Sequence, residues 1–501
     1  MAAVEGEKSR LLTMPLEILQ QIVRHLTTPE YAQLRLTCKH LEASVFNAFS
    51  KEFFRKKQFM LTLFSLQALV DISKSRLADG LKHIIINVER PSRHLMPAHL
   101  PNVRATADVR RRTNSYRETY IDHLALIESG HDIDMMAQAF ANLKNLETVE
   151  LRDFDSESRY RDNTSWRSYG KTTYIQETGA QLEIPGDHGR FSNAMDGGND
   201  WASRLFQNML RALGRTSIRP TRFEVNLRRS GLDDKAFKIQ KYDESSIVSV
   251  LAKLETFYMD LSSNFIFAQV ASQDQDNGAT QCFSYYLRKF LRHIDKIQHL
   301  RLNFKRFTGS EVQDFLSWLS KTPQTSSLNT DAQNPDVLPD APPSVLFRNL
   351  QRLEIGKLAV ESNTLLALLR KHKATLRAVQ FHLVSIVDNS SYHSRVNHWS
   401  KFFGHMAKAG LDLNHITMSL LSQEKFTVYK RHVSFKDCPR GPRVWEGQDL
   451  PGALKDLMDT VTVDWPTEDT DSGRVESDED SDDDSLGDLI DDEIEELNAY
   501  E

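Results

Sequence analysis

Ser477, Ser481 and Ser485 each stand three residues ahead of a carboxylate, Asp480, Asp484 and Asp488, the spacing that acidophilic kinases favour. Phosphorylation would add about −1.5 to −2 charges at each of these candidate sites. Elsewhere, residue types that do chemistry lack the spacing for it. His293 and His299 flank a strand start, and His393, His398 and His405 gather near Trp399, without the HExxH-type spacing of a metal site. Cys38, Cys282 and Cys438 lie far apart and outside any Cys-x-x-Cys pair, which suits reduced structural thiols rather than a disulfide framework or a zinc site. Gly186 with Gly189, and Gly197 with Gly198, lack the strand-to-helix context of a phosphate loop. No nucleophile motif is present, so the expectation is a chain with no catalytic residue, no metal and no cofactor.

The stretch from Leu11 to Phe54 has a stronger pattern. Thr13 can cap a helix, Pro15 suits a first turn, and Glu17 places negative charge near the positive end of the dipole. Ile18, Leu19, Ile22, Val23 and Leu26 then recur at three- and four-residue spacing, with Gln20, Gln21 and Arg24 on the other side. Thr27, Thr28 and Pro29 break the pattern. Tyr31, Leu34, Cys38 and Leu41 rebuild it as a second helix, and Val45, Phe46, Phe49, Phe53 and Phe54 supply a third. Helices this short need a partner or the neighbouring domain, since a domain of about fifty residues buries only about 60% of its unfolded surface.

The run Leu12, Pro15, Glu17, Ile18, Ile22, Leu34, Arg35, Cys38 and Lys39 resembles an F-box, over less than a tenth of the chain. The resemblance implies docking on the Skp-type adaptor of a cullin-RING ubiquitin ligase. Leu12, Met14, Pro15, Ile18, Leu19, Ile22, Leu34 and Cys38 are then the adaptor-binding candidates. Met14 departs from the usual leucine before the proline, and the position near Val45 and Phe46 lacks the tryptophan often found there. The plainer alternative is that these apolar residues are simply the core of an N-terminal helical bundle.

The chain has 501 residues, 40% hydrophobic and 26% charged, with no run of eighteen apolar residues to span a membrane. Residues 1–9 contain no secretory signal and read as a disordered N-terminus, so a cytoplasmic or nuclear location is expected. The net charge of −6 is unevenly spread: Asp464 to Glu501 holds eighteen acidic residues against Arg474 alone, a balance of −17 that leaves +11 on the rest. Like-charge runs of this kind stay disordered, as solubilising or interaction tails, and a clasp between tail and body would weaken with salt. The short basic runs Arg55 to Lys57 and Arg110 to Arg112 suit a nuclear address or a phosphate contact.

Between residues 56 and 455 a theme repeats: a helical segment, then a short apolar strand often introduced by a leucine. Strands are expected at 81–88, 146–151, 222–227, 254–259, 297–304, 350–355, 376–381 and 413–418, with helices such as 200–213, 284–293, 310–319 and 362–371 covering their apolar faces. These eight units resemble a leucine-rich-repeat solenoid, although equivalent positions sit from about 25 to about 75 residues apart, against about 20 to 29 in regular repeats. An α/β globular domain with parallel strands and crossover helices would alternate in the same way. Two insertions, at about 155–200 and 322–344, are too polar or proline-rich to pack alone. The first, with Tyr160, Trp166, Tyr169 and Tyr174, has the composition of a binding loop or of a loosely packed excursion.

The expected fold class is thus α/β: a three-helix F-box-like module (10–55), an irregular leucine-rich-repeat-like α/β solenoid (56–455) and a disordered acidic tail (464–501). The composition resembles the large, divergent F-box families of filamentous fungi. The resemblance implies a non-catalytic substrate receptor of a ubiquitin ligase, whose partners are a Skp-type adaptor, through it a cullin, and a protein target. The alternative is a scaffold whose +11 body holds polyanions with the tail as competitor, although no basic stripe interleaved with aromatics favours nucleic acid.

Overall fold

The computed structural model describes residues 10–95, 106–156, 167–184, 198–262, 284–307, 310–323, 342–388, 395–425, 429–438 and 441–465. They divide into two compact units, one within residues 1–185 together with 215–220, the other within 186–214 and 221–501.

The first unit opens with α1 (Leu16–Arg24), α2 (Thr28–Thr37) and α3 (Lys39–Phe54), and continues through β1 (Lys56–Met60), α4 (Leu63–Ser73), β2 (His83–Asn87), α5 (Ala107–Ser129), α6 (His131–Asn142), β3 (Thr148–Arg152) and α7 (Lys171–Thr178). Its strands pair in parallel in the order β1-β2-β3. Residues 167–184, inside the first expected insertion, are packed rather than excursive. Tyr174 is buried with Met60, Tyr116, Ala180 and Leu182, and the Tyr169 amide donates to the Gln58 carbonyl at 2.9 Å, shielding the open edge of β1. Tyr160 and Trp166 lie outside the described residues.

The second unit contains α8 (Gly198–Gly214), β4 (Arg222–Asn226), α9 (Glu244–Leu251), β5 (Thr256–Leu261), α10 (Tyr285–Leu291), β6 (His299–Phe307), α11 (Ser310–Ser320), β7 (Arg352–Glu361), α12 (Ser362–Lys371), β8 (Ala378–Asp388), α13 (His398–Ala407), β9 (His415–Ser419), β10 (Leu421–Lys425), β11 (Tyr429–Phe435), β12 (Arg443–Glu446), α14 (Leu450–Thr460) and β13 (Val461–Val463). Strands β4 to β9 run parallel in sequence order, each of the eight expected strands having its counterpart in β2 to β9. One carbonyl before each strand fixes the register by accepting two amides from the next unit. Glu255 takes Gln298 and His299, Gln298 takes Gln351 and Arg352, Gln351 takes Arg377 and Ala378, and Arg377 takes Asn414 and His415, at 2.7–3.2 Å.

Period-two alternation then sorts the side chains. Phe257, Met259, Leu300, Leu302, Leu353, Ile355, Val379, Phe381, Ile416 and Met418 form the apolar face, each at most 1% exposed. Burying a side chain of this size contributes about 1.5–3 kcal/mol. Phe206 of α8 and Phe290 of α10 stack on Phe257 from the helical layer, with centroids 6.4 and 5.7 Å away.

The parallel strands bend together. Lys357, Leu383 and Leu420 adopt φ of 59°, 53° and 49°, and the register skips at this place: Gly356 faces His382 and Leu358 faces Val384. Beyond the bend β8 pairs with β10 instead of β9, so β9 and β10 are the two halves of one bent strand. Gly356 has no room for a side chain, because a Cβ would lie 2.4 Å from Asn303 Oδ1 and 2.9 Å from the His382 carbonyl.

Elements continue to Val463, past the expected boundary at 455, because β11 turns back antiparallel on β10 and receives β13 on its other side. Strand β10 escaped the sequence reading because Ser422, Gln423 and Glu424 are polar yet buried. Gln423 is held by the His398 amide and the Val396 carbonyl, both at 3.0 Å. The second expected insertion has tied stems: Trp318 Nε1 donates to the Pro342 carbonyl at 2.6 Å, and Lys371 Nζ donates to the carbonyls of Leu319 and Val345. Residues 1–9, 324–341 and 466–501, with Ser477, Ser481 and Ser485, lie outside the described residues. No helix among the described residues is long and apolar enough to cross a membrane.

Candidate docking site

The three N-terminal helices begin where local chemistry dictates. Pro15 itself, not Thr13, caps α1: its φ of −54° suits the position, and its carbonyl accepts the amides of Ile18 and Leu19 at 3.1 Å. Thr27, Thr28 and Pro29 do more than interrupt. Thr27 and Glu30 form a capping box, the Thr27 amide reaching Glu30 Oε2 at 2.8 Å, and that amide and hydroxyl hold the Glu30 carboxyl below its ordinary pKa. Cys38 does not lie within the second helix, as its spacing from Leu34 suggests. It closes α2 and caps α3, Sγ accepting from the Leu41 amide at 3.5 Å, so Leu41 belongs to α3.

The core of this module is complete in itself. Val23, Tyr31, Val45 and Phe53 are buried together, backed by Leu26, Leu34, Phe49 and Phe54. Tyr31 crosses Phe49 edge-on at 5.7 Å and donates its hydroxyl to the Val45 carbonyl at 3.2 Å, so its one polar atom is satisfied. No linker separates the module from the first sheet: Arg55 alone stands between α3 and β1, and its carbonyl accepts the amides of Lys82 and His83 at 2.9 Å. Glu42 of α3 ties Arg35 to Arg76, whose guanidinium lies 3.9 Å over Phe46.

With the core filled from within, the residues left outside define what the module offers. Pro15 is exposed, and Leu16 and Ile18 are 44% and 41% exposed. Leu36 is 85% exposed. Met14 and Ile22 are half-buried at the margin. Three expected candidates point elsewhere. Leu19 is 2% exposed, Leu34 backs the core, and Cys38 spends its sulfur on a cap. Nothing is described of the Leu12 side chain. Leu16 and Leu36 were missed by apolar periodicity, since both lie off the stripe that turns inward. An unpaired leucine on the wet side of an amphipathic helix was the available signal.

The second unit presents a different surface. The face of β4 to β8 opposite its helices is polar and internally neutralised. Glu354 accepts from His299 at 2.6 Å and forms an ion pair with Arg352 at 2.8 Å, Arg222 pairs with Glu224 at 3.1 Å, and the Arg301 guanidinium lies 4.6 Å over Tyr258. Burial alone would raise the Glu354 carboxyl, but His299, Arg352 and Arg301 hold it down to about 2.

The three helices share a core of their own, join the first sheet directly, and leave Leu16, Ile18 and Leu36 exposed. Residues 11–47 match the F-box domain, a domain of ubiquitin-ligase adaptors that generally binds Skp-type partners, and the match supports an F-box protein. No curated protein matches the chain.

Proposed function

We propose that the protein is the substrate-recognition subunit of a Skp-cullin-F-box ubiquitin ligase. Its outward residues Pro15, Leu16, Ile18 and Leu36, with Met14 and Ile22 at the margin, enter the adaptor, and the observation that carries this reading is their exposure beside a finished core. A cullin joins through the adaptor. The strand-and-helix units, read as a leucine-rich-repeat-like array with long insertions, hold the protein target on their polar face. The chain contributes no catalytic group. It supplies proximity, turning the encounter of target and charged ubiquitin carrier into an effectively intramolecular one. Direct continuity from α3 into β1 supports this, because a docking module without a hinge fixes the neighbouring sheet relative to the adaptor.

The test is a pull-down of the full chain by a purified Skp-type adaptor, beside a Pro15→Ala, Ile18→Asp variant and with heparin as a polyanion control. Binding abolished in the variant, with heparin retention unchanged, is the expected result. Adaptor binding retained by the variant contradicts the assignment of the docking face. Absence of adaptor binding by the unmodified chain, with heparin retained, supports the polyanion-scaffold alternative.

A further inference from the structure

The outer face of α13 carries charge that the described residues around it leave unpaired. Trp399, Phe402, Phe403 and Met406 turn inward and are at most 1% exposed, so helical spacing puts Lys401, Gly404, His405 and Lys408 along the opposite face. Lys401, His405 and Lys408 are exposed and form no ion pair among the described residues. Helix α14 lies beside this face: Ser400 Oγ donates to the Met458 carbonyl at 3.4 Å, and a Cβ on Gly404 would lie 3.5 Å from Met458 Cε. The Met458 side chain thus lies over Gly404 and remains 37% exposed, an apolar spot beside the charged residues, and Lys455 stands exposed one turn earlier on α14. Of the α14 carboxylates, Asp456 is taken by Arg443 and Asp459 remains exposed.

The described stretch that leads to the acidic segment ends beside this helix. Asn397, the N-cap of α13, donates Nδ2 to the Val461 carbonyl at 3.2 Å, and Trp465, the last described residue, lies within about 13 Å of extended chain from Val461. Residues 476–497 contain thirteen carboxylates and no basic side chain, and within them Leu486, Leu489, Ile490, Ile494 and Leu497 recur at three- and four-residue spacing, an apolar stripe in an acidic sequence. The eleven residue steps from Trp465 to Glu476 reach up to about 36 Å, more than the roughly 15 Å length of α13.

We propose that the acidic segment 476–497 of this chain docks on the Lys401, His405 and Lys408 ridge of α13, laying its leucine and isoleucine stripe against the exposed Met458. Three features point to this occupant: opposite charge, a matching apolar element, and a short tether that holds the segment near the ridge at about millimolar effective concentration. The proposal is independent of the adaptor reading.

Carbodiimide cross-linking of the full chain, mixed as light and heavy isotopic copies, tests it. The expected products join Lys401, Lys408 and Lys455 to carboxylates of 476–497 within one copy, and they vanish near 1 M salt, where the screening length is about 3 Å. Charge reversal by Lys401→Glu with Lys408→Glu leaves Lys455 as reporter, and its cross-link to the segment should fall about tenfold, a change of about 1.4 kcal/mol. Cross-links that scatter over lysines throughout the chain, that join light to heavy copies, or that survive the charge reversal unchanged overturn the proposal. Thermal unfolding of the reversed variant, both lysines being exposed, confirms that the fold is intact.

Discussion

Tyr31 and Leu36 sit five residues apart on α2 and do opposite jobs. Tyr31, fully buried and hydrogen-bonded to the Val45 carbonyl, joins α2 to α3, while Leu36 contributes nothing to the interior. Tyr31→Ala should therefore cost about 3–5 kcal/mol in urea unfolding, the range for deleting a large buried aromatic, whereas Leu36→Asp should leave stability within about 0.5 kcal/mol. Glu354 makes a pH-dependent contribution of known sign. Its folded pKa of about 2 lies below the ordinary 4.5, so the stabilisation is complete above 4.5 and is lost as pH falls from there towards 2. The stake is about 3 kcal/mol, and Glu354→Gln should flatten the urea midpoint across that window. A midpoint equally steep in the variant would place the acid sensitivity elsewhere.

At the scale of the element, the parallel strands were legible because their leucines recur at fixed positions relative to a shared backbone staple. Each expected strand from 81–88 to 413–418 has its counterpart, most of them displaced by about two residues toward the C-terminus. The bend was not legible. Lys357, Leu383 and Leu420 occupy left-handed backbone without being glycine, a conformation costing about 1–2 kcal/mol per residue that no local pattern announces. Its one readable sign is Gly356, where backbone and Asn303 crowd the space a side chain would need. Gly356→Ala should cost about 1–3 kcal/mol by overpacking, measured as a lowered unfolding midpoint, and an unchanged midpoint would show that the strands can shift apart. The packed part of the first insertion hid for another reason. Tyr169 and Tyr174 are recruited by contacts 111 and 114 residues away on β1, and 58 residues away on α5, which a local reading cannot supply.

For the molecule as a whole, the sequence disclosed a three-helix module that matches the F-box domain at one end and an acidic segment at the other, while the side chains facing outward had to await the packing. Leu19 and Ile18 are neighbours on an apolar stripe, and only the filled core separates the one that stabilises from the one that is offered. The central claim is that the outward set docks the module. It is tested most directly by calorimetric titration of the full chain with a Skp-type adaptor, comparing the unmodified protein with Ile18→Asp combined with Leu36→Asp. The account predicts a loss of about a hundredfold or more in affinity, roughly 3 kcal/mol, with an unchanged thermal midpoint. An affinity that survives both substitutions in a folded chain would contradict it.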